Sequence, residues 1–297
     1  MPQTPHKDKL VAAICNPKCQ PSDVAILESC LARYESWIAD MGKVQLVGRE
    51  RVVQFTNLLN AYKDDLEVEL ISKSQSQFLI RQKGQLKLDN SIIEEFLIHL
   101  ADTRIIDGMP AFALDIGPQT AFMSLAFTPT NINDLGGKPP VEVKQKDTDF
   151  ALGKTIHYRF SPDPLFPSAK TTEGKMMLAV VAAECKVNLD KTMFQEAAGT
   201  AARLKQGCPM SRYYLLVEYL DMEPEDCRLT AVDNVFLLRH AKRLPFGKRT
   251  IYEEVKAQHQ AKPIDAEIIW KFCQEIQLFV KAVWYDPGKA LERGTFI

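Results

Sequence analysis

No run of apolar residues approaches the ~20 needed to span a bilayer, and the opening MPQTPHKDKL lacks a secretory apolar core. The expectation is a cytoplasmic protein with no membrane partner. GxxxxGK[ST] is absent, which argues against a nucleotide-driven motor, and there is no Ser/His/Asp arrangement and no internal repeat. Positive charge is not in excess either, since the formal net charge is -1. A nucleic-acid binder of this composition must concentrate its Lys and Arg locally, because a cleft can be basic on a neutral protein. The seven cysteines are odd in number and scattered, as in a chain with reduced thiols. Cys15 and Cys19 form the one close pair, and no second pair follows at zinc-ligand spacing.

What is present is an ordinary globular composition over 297 residues, 46% hydrophobic and 25% charged, enough for one large or two modest domains. The organising stretch runs from residue 162 to 196. In it Met176 to Ala183 reads as a strand covered on both faces and leads into Glu184-Cys185-Lys186. Side chains two apart on a strand share a face, so Glu184 and Lys186 should project together while Cys185 packs inward. Upstream, Pro162-Asp163 is separated from Glu184 by 20 residues, enough for a turn and one antiparallel strand. Glu173, with ten residues between it and Glu184, could reach the site through a turn at Gly174. The Pro-Asp pair and the available span favour Asp163. Two carboxylates and a lysine suit phosphodiester hydrolysis: Mg²⁺ takes oxygen ligands and activates water, and an ammonium orients that water or offsets charge on the phosphate.

Pro162-Asp163 followed by Glu184-x-Lys186 resembles the PD-(D/E)XK nuclease signature. Four further blocks, RQKGQLKLDNSIIEEFL (81 to 97), ECKVNLDKTMFQEA (184 to 197), YYLLVEYLDM (213 to 222) and FLLRHAKRL (236 to 244), are together similar to the Bpu-ten-I type of type II restriction endonucleases. The likeness covers roughly residues 30 to 250. It implies a bacterial enzyme that makes a Mg²⁺-dependent double-strand cut in DNA at a short site of the CCTNAGC kind, with Mn²⁺ as a possible substitute. It also implies a second subunit, identical or related. Asp163 and Glu184 would ligate the metal and Lys186 would assist the attacking water.

Elsewhere the pattern reads as follows. Residues 1 to 20 look like a loose arm, and helices are expected over 22 to 40 and 49 to 71. Arg81, Gln82, Lys83 and Lys87 sit in a basic turn before a helix capped by Asp89 or Asn90, and these side-chain types bond phosphates and base edges. Residues 107 to 160 read as short strands and loops, with Asp147-Thr148-Asp149 as a solvated turn. A helix from about residue 190 to Lys205 would place Gln195 and Glu196 near the end of the catalytic strand, as supports for Lys186 or a bound water. Tyr213 to Leu220 reads as an inner neighbouring strand, with Glu218 and Asp221 as loop or cap residues. Arg239, His240, Lys242, Arg243, Lys248 and Arg249 put six potential cations in eleven positions, and Arg239, Lys242 and Arg243 are the candidates there for contact with double-stranded DNA.

The expected fold is therefore α/β, a mixed central sheet flanked by helices as in the PD-(D/E)XK restriction endonucleases. An N-terminal helical region (1–105) should precede the catalytic core (106–297). A single-strand nicking or repair endonuclease, or a catalytically inert DNA-binding partner subunit, are the competing readings.

Overall fold

The computed structural model describes residues 3–82, 88–109, 113–282 and 287–294. The chain opens with helices α1 (Pro5–Ile14), α2 (Pro21–Lys43), α3 (Gly48–Lys63), which continues as a π-helix over Asp64–Ser72, α4 (Gln77–Gln82) and α5 (Asn90–Leu100). Strands β1 (Asp115–Phe127), β2 (Val141–Phe160) and β3 (Thr172–Leu189) follow, then helix α6 (Lys191–Gly207) and strands β4 (Arg212–Leu220) and β5 (Asn234–Lys242). Helices α7 (Tyr252–Ala261), α8 (Ala266–Lys281) and α9 (Pro287–Arg293) close it.

Residues 3–20 are not a loose arm. Pro5 and Pro21 each occupy the first turn of a helix, where the missing N–H would have had no partner, so the prolines begin α1 and α2 and do not interrupt them. His6 is fully buried, its Nε2 2.7 Å from the Tyr62 hydroxyl and its Nδ1 2.9 Å from the Ser91 hydroxyl. Glu95 on α5 accepts the backbone N–H of His6 at 2.9 Å and also accepts the Tyr34 hydroxyl. A carboxylate facing the free N–H groups of a helix start is favoured by both hydrogen bonding and the helix dipole.

The five strands form one mixed sheet in the order β1-β2-β3-β4-β5. The first two pairings are antiparallel and the last two parallel, with α6 as the crossover from β3 to β4. Residues 107–160 hold two long strands where short ones were expected. Gly117-Pro118 does not break β1, because the register passes from Gly117↔Ala151 to Gln119↔Thr148 and absorbs the proline as a bulge. Pro118 has no N–H to give the ladder, so a bulge is where a strand tolerates it.

Each face of the sheet buries its own core. On one side Ala182, Tyr213, Leu215 and Val217 meet Phe194, Ala197, Ala201 and Leu204 of α6. On the other, Ala183, Cys185, Tyr214 and Phe236 meet Phe272 and Ile276 of α8, and this core runs on without a break through Phe96, Leu59 and Leu27 of the N-terminal helices. Between those helices and the sheet lies a buried charge network. The Lys63 ammonium is 2.5 Å from Glu67 and 2.8 Å from Glu218, and Arg239 Nε donates to the second oxygen of Glu218 at 2.7 Å. Glu218 is thus neither a loop nor a cap residue. Asn60 meanwhile pairs twice with the backbone of Ile264, tying α3 to the segment before α8.

Candidate active site at the tip of the third strand

Glu184 and Lys186 leave the same face of β3, and their charged groups meet at 2.9 Å. The apolar run ahead of them holds the strand between two cores, and the pair follows it, with Lys186 only partly buried. Glu184 is 9% exposed, and its other oxygen accepts the hydroxyl of Tyr213 from the adjacent β4. Tyr213 also bonds Thr200 of α6, so the carboxylate is held by strand and helix together. Asp190, at the end of the same segment, accepts the Met193 N–H at 2.8 Å and starts α6.

The second acid is Asp149. Two residues of β2, Asp149 and Phe150, face the single Pro118 in the bulge of β1, and a bulge re-aims the side chains around it. The last registered pair of β2 and β3 is Phe150↔Ala183, so Asp149 stands beside Glu184. Its Oδ2 accepts the backbone N–H of Cys185 at 2.9 Å. From beneath, α5 is fastened to this strand end by Asn90, which accepts the Val187 N–H at 2.9 Å, and the buried Glu94 of that helix acts electrostatically on Cys185.

The charges support one another. Burial pushes the Glu184 carboxyl up, but the Lys186 ammonium, the Tyr213 hydroxyl and the nearby Lys146 outweigh it and hold the group below its ordinary value. Burial would discharge Lys186, yet Glu184 first and then Asp149 raise it above the usual lysine range. With its ammonium 2.9 Å from Glu184, Lys186 is placed as a cation and hydrogen-bond donor. Cys185 is 1% exposed, and burial drives its thiol far up, so it packs without acting as a nucleophile.

Several sequence expectations do not survive. Asp163 follows the far end of β2, where Phe160 pairs with Thr172, and it accepts the N–H of Leu165 in a local turn. Glu173 pairs across the strands with Arg159 at the same end. Eleven strand residues from Glu184 to Glu173 amount to roughly 35 Å along the strand. The antiparallel return that was to bring Asp163 to Glu184 carries the two apart, because β3 starts beside Asp163 and runs away from it. Asp149 lies in β2, not in a solvated turn. Gln195 and Glu196 sit on the exposed side of α6, and neither makes a hydrogen bond or ion pair with Glu184 or Lys186.

The basic candidates divide. Arg239 is 1% exposed and committed to Glu218 and to the Lys262 carbonyl, so it cannot touch DNA. Lys242 is exposed but paired with Glu223 at 2.6 Å. Arg243 is half-buried; burial and then Arg249 lower its pKa, opposed by Asp221, Asp89 and Asp190. Lys83 and Lys87 lie outside the described residues, and so do the side chains of Arg81 and Gln82, whose backbone ends α4.

The donor set fits a hard divalent cation. Asp149 and Glu184 offer carboxylate oxygens side by side at the end of paired strands, and Mg²⁺ binds through one or two carboxylates together with water and phosphate. Among the described residues no group of three or more His, Cys, Asp or Glu is gathered to enclose a metal, so the site suits an ion shared with a substrate.

A five-stranded mixed sheet with helices on both faces, carrying two acids and a lysine at the tip of its third strand, is the architecture of the restriction endonuclease-like α/β proteins. The chain belongs to the Bpu10I restriction endonuclease family, whose family model matches residues 85–296, and is accordingly a nuclease. Among solved structures, a chain of the native BbvCI A2B2 tetramer, determined at low resolution, shares the fold with a TM-score of 0.61 at 20% identity, over 94% of this chain and 97% of that one. No curated protein matches the chain. Among the described residues no helix is long and apolar enough to cross a membrane.

Proposed function

We propose that this protein is a type II restriction endonuclease that hydrolyses a DNA phosphodiester with Mg²⁺, Mn²⁺ substituting, using Asp149, Glu184 and Lys186. The observation that carries the assignment is the convergence of Asp149 from β2 with Glu184 and Lys186 from β3. Asp149 and Glu184 would hold the ion, which when bound supplies a more acidic water and charge stabilisation on the phosphate. Tyr213 and Thr200 fix Glu184 so that its other carboxylate oxygen stays beside Lys186. Lys186, kept charged by its two acids, donates hydrogen bonds that orient the attacking water and neutralises charge building on the phosphate oxygens. The Cys185 backbone N–H holds Asp149 in place.

Cutting both strands requires two such sites, so a second subunit, identical or related, completes the enzyme. The A2B2 composition of BbvCI supports two related kinds of subunit. The recognised sequence is of the CCTNAGC kind, following the family resemblance. Incubation of supercoiled plasmid with the protein and Mg²⁺ tests the reading: linear product with defined ends is expected. Persistent open circles would point to a single-strand nicking enzyme, and intact plasmid with retained DNA affinity to an inert partner subunit.

A further inference from the structure

Beside the catalytic strand, a groove of about 600 Å³ runs between the β1–β2 hairpin and α6. Its lining includes Ser124 from β1, Lys144 and Lys146 from β2, and Thr200, Arg203 and Gln206 from α6, with no acidic side chain. Lys144 and Lys146 are two apart on a strand and so project to one side, toward α6. Gly207 fixes the wall: a Cβ there would lie 2.2 Å from the Met123 carbonyl oxygen, so glycine lets the helix end press directly on β1.

The groove is linked to the candidate site through Thr200 and Lys146. Thr200 bonds the Tyr213 hydroxyl that holds Glu184, and the Lys146 charge is felt at Glu184. Its cations also differ from those around them. Lys205 pairs with Asp233 at 2.8 Å, Arg212 with Asp233 at 2.7 Å and Lys242 with Glu223 at 2.6 Å. Among the described residues Lys146 and Arg203 form no ion pair, Lys146 acting on Glu184 only through space, and Lys144 reaches only Glu142, at 3.9 Å. Exposed cations left unneutralised around a polar trough, hydroxyl and amide donors between them, match the chemistry that binds successive phosphodiesters.

We propose that this groove seats the sugar–phosphate backbone of the DNA strand being cut, with Lys144, Lys146 and Arg203 contacting its phosphates and leading the scissile one to Lys186. The inference rests on the nuclease reading above. It moves the main phosphate contact away from the basic segment at 239–249 and onto α6 and the β1–β2 hairpin.

The test is fluorescence-anisotropy binding of a mixed-sequence duplex by the full chain, with Ca²⁺ replacing Mg²⁺, across about 50 to 200 mM KCl. For the Lys144→Ala/Arg203→Ala variant the slope of log K against log salt should fall by about 2, roughly one unit per lost phosphate contact, with weakening that does not depend on sequence. Lys205→Ala, on the same helix but paired with Asp233, should leave the slope unchanged. Both substituted groove residues are exposed, and an unaltered thermal melt confirms the fold. An unchanged slope for the double variant, or an equal loss for Lys205→Ala, overturns the groove assignment. A wild-type chain that neither binds nor cuts DNA, with or without its second subunit, instead overturns the nuclease reading.

Discussion

Asp149 accepts the backbone N–H of Cys185 at 2.9 Å, which places the second acid on the peptide that joins Glu184 to Cys185. Neighbouring strands are locked together at the point where their acids meet. The bond also explains why Asp149 belongs to the site although 34 residues lie between it and Glu184.

Asp149→Asn keeps the shape and removes the charge, and should lower the cleavage rate by more than about a hundredfold. Asp163→Asn should leave it unchanged, since Asp163 serves only its own turn. Single-turnover cleavage of plasmid compares the two, and equal losses would return Asp163 to the site.

Lys186→Ala should slow cleavage by about 10²–10³-fold while DNA affinity changes little. Lys186→Arg, which retains the charge with a different donor geometry, should recover only part of the rate. Wild-type cleavage by Lys186→Ala would remove the lysine from the mechanism.

Arg239→Ala should destabilise the fold by about 3–5 kcal/mol, because it leaves Glu218 with one buried partner in place of two. Urea denaturation reads this directly. DNA affinity measured on the folded fraction should be unchanged, in contrast to the groove variant.

Tyr213→Phe removes the hydroxyl donor to Glu184 and should cost about 1–3 kcal/mol of stability together with roughly tenfold in cleavage rate. Glu184 loses one of the partners that hold its pKa down, so the acid limb of the cleavage profile should move to higher pH.

Burial first, then Lys63, lowers the His6 pKa from 6.5 to about 3, so the ring is neutral in the folded protein where the unfolded chain would protonate it. The unfolded state then binds more protons between those values, and this contribution to stability falls as pH drops, by about 1.4 kcal/mol per unit. Glu95, raised by burial, works in the opposite sense. Urea midpoints at neutral and mildly acidic pH should differ less for His6→Gln than for the wild type.

The sequence exposed the strands and helices best where burial is one-sided or complete. Tyr213–Leu220 reads as a covered strand because both faces are buried, Met176–Ala183 because one face is buried and the other half-buried, and α6 was legible from Phe194, Ala197, Ala201 and Leu204 on one side. Glu184 and Lys186 followed from the abrupt end of an apolar run. Asp149 was hidden because its strand is exposed on its N-terminal side, and Asp147-Thr148-Asp149 has the composition of a turn. A signal was present nonetheless: Asp149 immediately precedes the buried Phe150-Ala151-Leu152, the mirror of Glu184 after Ala182-Ala183, and antiparallel strands place such ends side by side. Arg239 was misread because composition cannot tell a solvated cation from one neutralised by a distant glutamate. That glutamate lies on the neighbouring strand β4, where Lys63 of α3 also reaches it, and neither contact leaves a local trace in the sequence.

Helix α5 carries two neighbouring glutamates with different duties, Glu95 fastening the first helix and Glu94 lying under the nuclease strand. Trimming the chain before α2, as one might remove an unstructured leader, would strip buried Glu95 of two donors, one residue from the glutamate that acts on Cys185. Such a deletion would resemble a lesion of the reaction centre more than the loss of a tail.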